Sequence, residues 1–288
     1  MKKVNHLYYL LLFTLLSVIT ACQKEKQEQI PVNEEILSVS ENVLVPETEN
    51  LSVASRRKFT PCNTFYGPAV KMGNGYIRSW INISKGDNKP WGIGIEFTCN
   101  SFRNLPTDPL NFEANTFILK LHHKAIATTP FNHITINWEP EGHEPPGIYD
   151  VPHFDTHFYK ISVENQNLIT GVPGPVPSPG YLPASYVIQG GTVPQMGTHW
   201  LDPSSPELPP TSAPFTHTFI YGSNQGDVHF LEPMITRAYF LAGKSVSKPF
   251  PQPIHFSPSQ TNYPTVYKIW KNSENGRSYV ALTDFVFR

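Results

Sequence analysis

Thr216-His217-Thr218-Phe219-Ile220-Tyr221, Gly222-Ser223-Asn224-Gln225-Gly226 and Asp227-Val228-His229-Phe230-Leu231 form one continuous stretch, and its reading decides the fold. Two runs rich in aromatic and β-branched residues flank a short link bounded by glycines, the composition of an antiparallel hairpin. The same period of two recurs outward from it. Trp91, Ile93, Ile95 and Phe97 share one strand face, Phe117, Leu119 and Leu121 another, and Ile134, Ile136 and Trp138 a third. Gly73-Asn74-Gly75 reads as a second hairpin turn leading into residues 76–84. It is not a phosphate cradle, because no helix pattern follows it. Near the C-terminus Tyr279, Ala281, Thr283, Phe285 and Phe287 alternate with Val280, Leu282, Asp284 and Val286, which suits a strand covered on both sides. These patterns predict a mostly β chain, an antiparallel β-sandwich or open barrel.

Composition points the same way. Of 288 residues 39% are hydrophobic and 12% aromatic, enough for a sizeable core and too many for wholesale disorder. The 29 prolines are roughly double ordinary usage and argue against a mostly helical protein. With 22 basic and 23 acidic residues the net charge is -1, so the chain offers no electrostatic footprint for nucleic acid or an anionic membrane surface. Eleven prolines fall within residues 171–214, among them Pro173, Pro175, Pro177 and Pro179. This segment reads as a long, stiff surface excursion, neither a regular helix nor a central strand. It is not a domain boundary, since Met196 and Trp200 within it call for burial.

The N-terminus carries an address. Lys2 and Lys3 precede an almost unbroken apolar run, residues 7–19, too short for a comfortable bilayer span of about 20 residues. The run ends Ile19-Thr20-Ala21-Cys22, which resembles the lipobox of bacterial lipoproteins. That resemblance implies cleavage before Cys22, a lipid on its thiol, and a mature protein anchored to the bacterial cell envelope, at the outer membrane or surface. The alternative is a cleaved signal peptide beside an incidental cysteine. Residues 23–58 hold five Lys or Arg, seven Glu and no aromatic residue, the composition of a solvated tether. The expected organisation is a signal peptide at 1–21, a tether at 22–58 and a single β domain at 59–288. With Cys22 lipidated, Cys62 and Cys99 remain as an even pair in an oxidising compartment, so a disulfide between them is expected, two separate buried thiols being the alternative.

Six of the eleven histidines lie between residues 121 and 160. In the run His153-Phe154-Asp155-Thr156-His157-Phe158-Tyr159, a strand would point His153, Asp155, His157 and Tyr159 one way and pack Phe154 and Phe158 behind them. Strand residues four apart are separated by about 13 Å. Two imidazoles at about 2.0 Å from one zinc cannot span that, so His153 and His157 cannot share an ion on a regular strand. Neighbours two apart can, which leaves Asp155 with either histidine. A helix here would instead bring His153 and His157 onto one face; Pro152 and the surrounding pattern favour the strand. Further ligands must come from elsewhere, and His199 in Met196-Gly197-Thr198-His199-Trp200 and Glu232 in Phe230-Leu231-Glu232-Pro233-Met234 stand in apolar or glycine-containing contexts. A buried glutamate needs a partner, a metal or an imidazolium.

This block resembles a family of uncharacterised secreted bacterial proteins, a domain of unknown function. The likeness rests on Gly73-Asn74-Gly75 with Ser79-Trp80, on the run from Asn137 through His143 to Tyr159, on Met196-Gly197-Thr198-His199-Trp200, and on Glu232-Pro233-Met234-Ile235-Thr236. It covers most of residues 65–240, and its specific element is the His-Phe-Asp-x-His-Phe-Tyr run. The resemblance brings no activity with it; it implies that His143, His153, Asp155, His157, His199 and Glu232 belong to one shared feature.

Two functions follow. In the first, imidazoles and carboxylates bind a divalent transition metal, zinc foremost, with copper, iron or manganese compatible, in a metal-binding protein or a metal-dependent enzyme. In the second, a metal-free module uses its aromatic residues to bind a glycan, a small molecule or a protein of the envelope. Histidines serving only as hydrogen-bonded structural residues are the plain alternative to both. A serine hydrolase is disfavoured by the lack of a Gly-x-Ser-x-Gly elbow.

Overall fold

Strands with alternating side chains build three antiparallel sheets among the described residues. The computed structural model describes residues 62–288, all within one compact unit; the expected signal segment, Cys22 and the expected tether lie outside the described residues. The strands are β1 (Cys62–Tyr66), β2 (Val70–Met72), β3 (Gly75–Ser84), β4 (Pro90–Phe97), β5 (Thr116–Lys120), β6 (His133–Glu139), β7 (His153–Tyr159) and β8 (Val187–Val193). They continue as β9 (Gly197–Leu201), β10 (His217–Asn224), β11 (Asp227–Thr236), β12 (Val246–Pro249), β13 (Asn262–Tyr263), β14 (Val266–Lys271), β15 (Ser278–Thr283) and β16 (Val286–Phe287). Sheet one runs β1-β3-β4-β15-β14-β12, with β2 also on β3; sheet two runs β5-β6-β7-β11-β10-β9-β8; β13 and β16 form a small third pair. The arrangement is a sandwich with no closed barrel.

The inner faces meet in one core. Ile93, Ile95 and Phe97 of β4 and Val280 and Leu282 of β15 join Ile134, Ile136 and Trp138 of β6, Phe154 and Phe158 of β7 and Leu231 and Ile235 of β11. Phe154 alone touches Phe97, Phe102, Trp138 and Phe240, with ring centroids 4.7 to 6.3 Å apart. Its neighbours His153 and Asp155 necessarily face the other way. That outer face of sheet two is also covered: Tyr149, Leu201, Phe215, Ile220 and Met234 form a second apolar cluster over it.

Several expectations need correction. No disulfide joins Cys62 and Cys99. Cys62 pairs with Ser84 at one end of β3, whereas Cys99 follows Phe97, which pairs with Ile77 toward the other end. Seven residues of strand span about 23 Å, and a disulfide needs Cα atoms within about 7 Å. The thiol of Cys99 donates instead to the Gly276 carbonyl, 2.8 Å away. The β10–β11 link is shorter than the sequence suggests: Gln225 and Gly226, at φ 50° and 87°, make the turn alone, and residues 222–224 belong to β10. The twist of paired strands favours such a two-residue turn over a longer link. The proline-rich excursion holds two strands, β8 and β9, because its prolines flank residues 187–193 and 197–201 and leave their amides free to pair. Finally, the C-terminal strand stops at Thr283, Asp284 turns at φ 56°, and β16 is exposed.

Candidate metal centre

The outer face of sheet two gathers the chemistry. Register fixes the neighbours: Glu139 pairs with His153 and Asn137 with Asp155 on the β6 side, while Thr236 pairs with His153 and Met234 with Asp155 on the β11 side. The same register places His157 opposite Glu232, whose other neighbour is Ile220 of β10. His199 of β9 lies two strands from Glu232, opposite Gly222. Gly222 leaves the space that Phe230 fills beside His199. A Cβ there would sit 2.0 Å from the Phe230 ring, so the missing side chain makes room for that ring on the sheet. Phe230 then packs against both His157 and His199, at 4.8 and 5.3 Å between centroids.

All six residues expected from the sequence meet here, in two groups of three rather than around one point: His143, His153 and Asp155, and His157, His199 and Glu232. The strand geometry explains the division, since His153 and His157 are too far apart to share a centre and each takes the nearest carboxylate.

In the outer group His143 Nε2 lies 3.4 Å from Asp155 Oδ2, and His153 Nε2 lies 3.1 Å from Asp155 Oδ1. Both rings are oriented from behind. His143 Nδ1 is 2.7 Å from the Glu144 carbonyl and His153 Nδ1 is 2.6 Å from the Val151 carbonyl. A carbonyl only accepts, so each Nδ1 carries the proton and each Nε2 faces the carboxylate, the support that metal-binding histidines ordinarily receive. His153 Nε2 and Asp155 Oδ1 are buried without a hydrogen-bond partner, close to each other yet not aligned to bond. Phe215 and the Tyr149 ring close over this group, the Tyr149 hydroxyl donating to Glu207 Oε1 at 3.2 Å. His143, with 40% of its side chain exposed, is the open edge.

The inner group is drier. His157 Nε2 is 3.5 Å from Glu232 Oε1 and His199 Nε2 is 3.7 Å from Glu232 Oε2. His157 Nε2 and Glu232 Oε2 are buried and lack hydrogen-bond partners. Tyr159 stacks on His157 at 5.6 Å and holds its ring plane. The imidazole-to-carboxylate spacings are near the edge of about 3.4 Å that ligands at 2.0–2.1 Å from a tetrahedral ion would make, and in each group one ligand atom from every residue lies within 4.8 Å of the others.

The electrostatics separate the groups. Burial opposes the Asp155 carboxylate, but His153 and His143 beside it hold it well below the usual carboxylate range. Burial also opposes a charge on His143, yet Asp155, the Glu144 carbonyl and Glu139 raise it to about 9. Without an ion, a proton on His143 faces Asp155 Oδ2, while His153 Nε2 and Asp155 Oδ1 stay unmet. In the inner group burial pushes His157 down to about 3 and His199 to about 4, so both are neutral donors at pH 7. Burial, then Asp155 and Glu139, push Glu232 well above its ordinary value. An inner carboxylate with no cation beside it favours its protonated form, and a metal ion would oppose that.

Comparison with family models, curated proteins and solved structures finds no match. The site is therefore read from its atoms alone. Sequence reasoning overlooked Glu139, which burial and Asp155 raise to about 7 against the pull of His143 and His153. Its signal was present: with Ile134, Ile136 and Trp138 facing the core, Thr135, Asn137 and Glu139 must face the site. The donors are imidazole and carboxylate only, and the described cysteines, Cys62 and Cys99, belong to neither group. That donor set suits zinc, copper, iron or manganese.

Proposed function

We propose that this domain binds divalent transition-metal ions in the two groups on the outer face of sheet two, zinc being the first expectation for two histidines and a carboxylate. The observation that carries the reading is the inner group: His157 Nε2 and Glu232 Oε2 are buried and unpartnered, and His157, His199 and Glu232 offer ligand atoms that all lie within 4.8 Å of one another. A buried polar atom left unmet costs about 1–3 kcal/mol, and one ion would satisfy both. Three protein ligands leave a fourth position vacant, as metal-dependent hydrolysis requires, and the exposed edge of His143 gives the outer group access to solvent. The resemblance to secreted bacterial proteins and a lipid anchor on Cys22 belong to the same proposal: a metal-binding β domain held at the cell envelope. Metal analysis and zinc titration of the purified chain, beside His157→Ala and His199→Ala, test it. Tight binding that either substitution weakens supports the reading; a chain that neither retains nor takes up metal refutes it.

A further inference from the structure

A second feature stands apart from the metal face. Between the tip of the β10–β11 hairpin and residues 250–264 lies a cleft of about 250 Å³, which Lys160, Asp227, Tyr181 and His255 help to line. Its floor is apolar, made by Tyr221, Leu231 and Phe250. Leu231 lies on the face of β11 opposite to Glu232, so the cleft opens from the sandwich interior and shares no ligand with either metal group.

The walls are fixed by hydrogen bonds that need no ligand. Tyr221 Oη donates to the Pro251 carbonyl at 2.8 Å, Tyr263 Oη donates to the Pro258 carbonyl at 2.7 Å, and the amides of Ile254 and His255 both donate to the Gly180 carbonyl. Gly180, at φ 89°, has no Cβ because one would stand 2.7 Å from the His255 ring. The proline-rich excursion is thus sewn to residues 250–264 along one side of the cleft.

Lys160 is the unusual group. Its Nζ donates to the Ser257 carbonyl at 2.7 Å and stands 5.8 Å from the centroid of the Tyr263 ring. Among the described ion pairs it appears in none, Asp227 lying beyond ion-pair distance. An ammonium has three donors, so two remain for a ligand. Burial lowers this amine to about 7 with only a partial return from Asp227, as expected of a cation lacking a close counter-ion.

We infer that this cleft binds a small monocarboxylate, the carboxylate on Lys160 and an apolar or aromatic body over Tyr221, Leu231 and Phe250. The unpaired cation selects an anion, the floor selects an apolar body, and the volume lies just below the range of drug-sized sites, which limits the ligand to a small one. A neutral sugar would use the aromatic rings but leave the cation unmatched.

Calorimetry on the full chain in chelator at pH 6, below the Lys160 value of about 7, tests this with benzoate, phenylacetate and 4-methylpentanoate, each beside the corresponding primary alcohol. At least one acid is expected to bind with a stoichiometry of one, roughly tenfold or more tighter than its alcohol, the difference a charge-assisted contact makes. Lys160→Met should erase that preference, while Glu232→Gln should leave it intact. If acids and alcohols bind alike, if no acid binds, or if the preference survives in a folded Lys160→Met protein, the inference is overturned. The comparison of acid with alcohol uses the unmutated protein, so it holds even where the variant does not fold.

Discussion

Glu232 shows most clearly what a metal reading costs a single residue. Its carboxyl is raised above the ordinary value in the folded chain, so folding favours the protonated form. Stability from such a group is fully present below the unfolded carboxylate pKa of about 4.5 and declines as pH rises toward the folded value, by about 1.4 kcal/mol per pH unit over that window. Glu232→Gln cannot ionise. In chelator, urea melts should therefore show the variant gaining stability over the parent as pH rises above the unfolded carboxylate value, while its zinc affinity falls. Equal pH dependence in the two proteins would show that Glu232 is not held protonated. The outer group has its own sign: a metal ion there must displace the proton of His143, whose value is about 9. The affinity of the outer group should rise about tenfold per pH unit between pH 6 and pH 8, measured by competition titration in Glu232→Gln, and His143→Ala should flatten the slope. The residue scale was partly legible in the sequence. Alternation alone separates His153, Asp155 and His157 from Phe154 and Phe158, and the length of a strand forbids His153 and His157 a common ion. Glu139 was not singled out, although its strand neighbours already assign its face.

At the scale of elements, the inner group depends on strands that sequence periodicity did not reveal. His199 reaches Glu232 only because β9 pairs with β10, and β9 lies in a segment whose prolines resemble a loop. Pairing partners are a property of the folded sheet, and no local pattern in residues 197–201 names β10 as the neighbour. The hairpin was legible; its exact turn was not, because Gly222 looks like a turn residue and serves instead as the gap that receives Phe230. Gly222→Ala tests that role. The added methyl would collide with the ring between His157 and His199, and overpacking of this kind costs about 1–3 kcal/mol. A urea midpoint lowered accordingly, together with weaker zinc binding, is the expected outcome; unchanged values would mean that Phe230 has space to move. The missing disulfide teaches the same lesson, since parity of cysteines says nothing about the opposite ends of β3.

For the whole molecule, the two sheets divide the work. Sheet one and the inner face of sheet two supply a continuous apolar core, and the outer face of sheet two can then carry buried histidines and carboxylates that would weaken any core. An ion bound only by the folded chain adds stability by mass action, about 4 kcal/mol at a thousand times its Kd. Saturating zinc should therefore raise the melting temperature, and chelator should lower it, as differential scanning calorimetry can record. The lipid anchor proposed for Cys22 predicts that Cys22→Ser releases the protein from the membrane fraction, as cell fractionation can record. The most direct measurement is anomalous diffraction at the zinc edge from crystals grown or soaked with zinc. The account predicts one peak about 2.0–2.2 Å from His157 Nε2, His199 Nε2 and a Glu232 oxygen, and a second among His143, His153 and Asp155. Crystals saturated with zinc that show no peak at either group would contradict it.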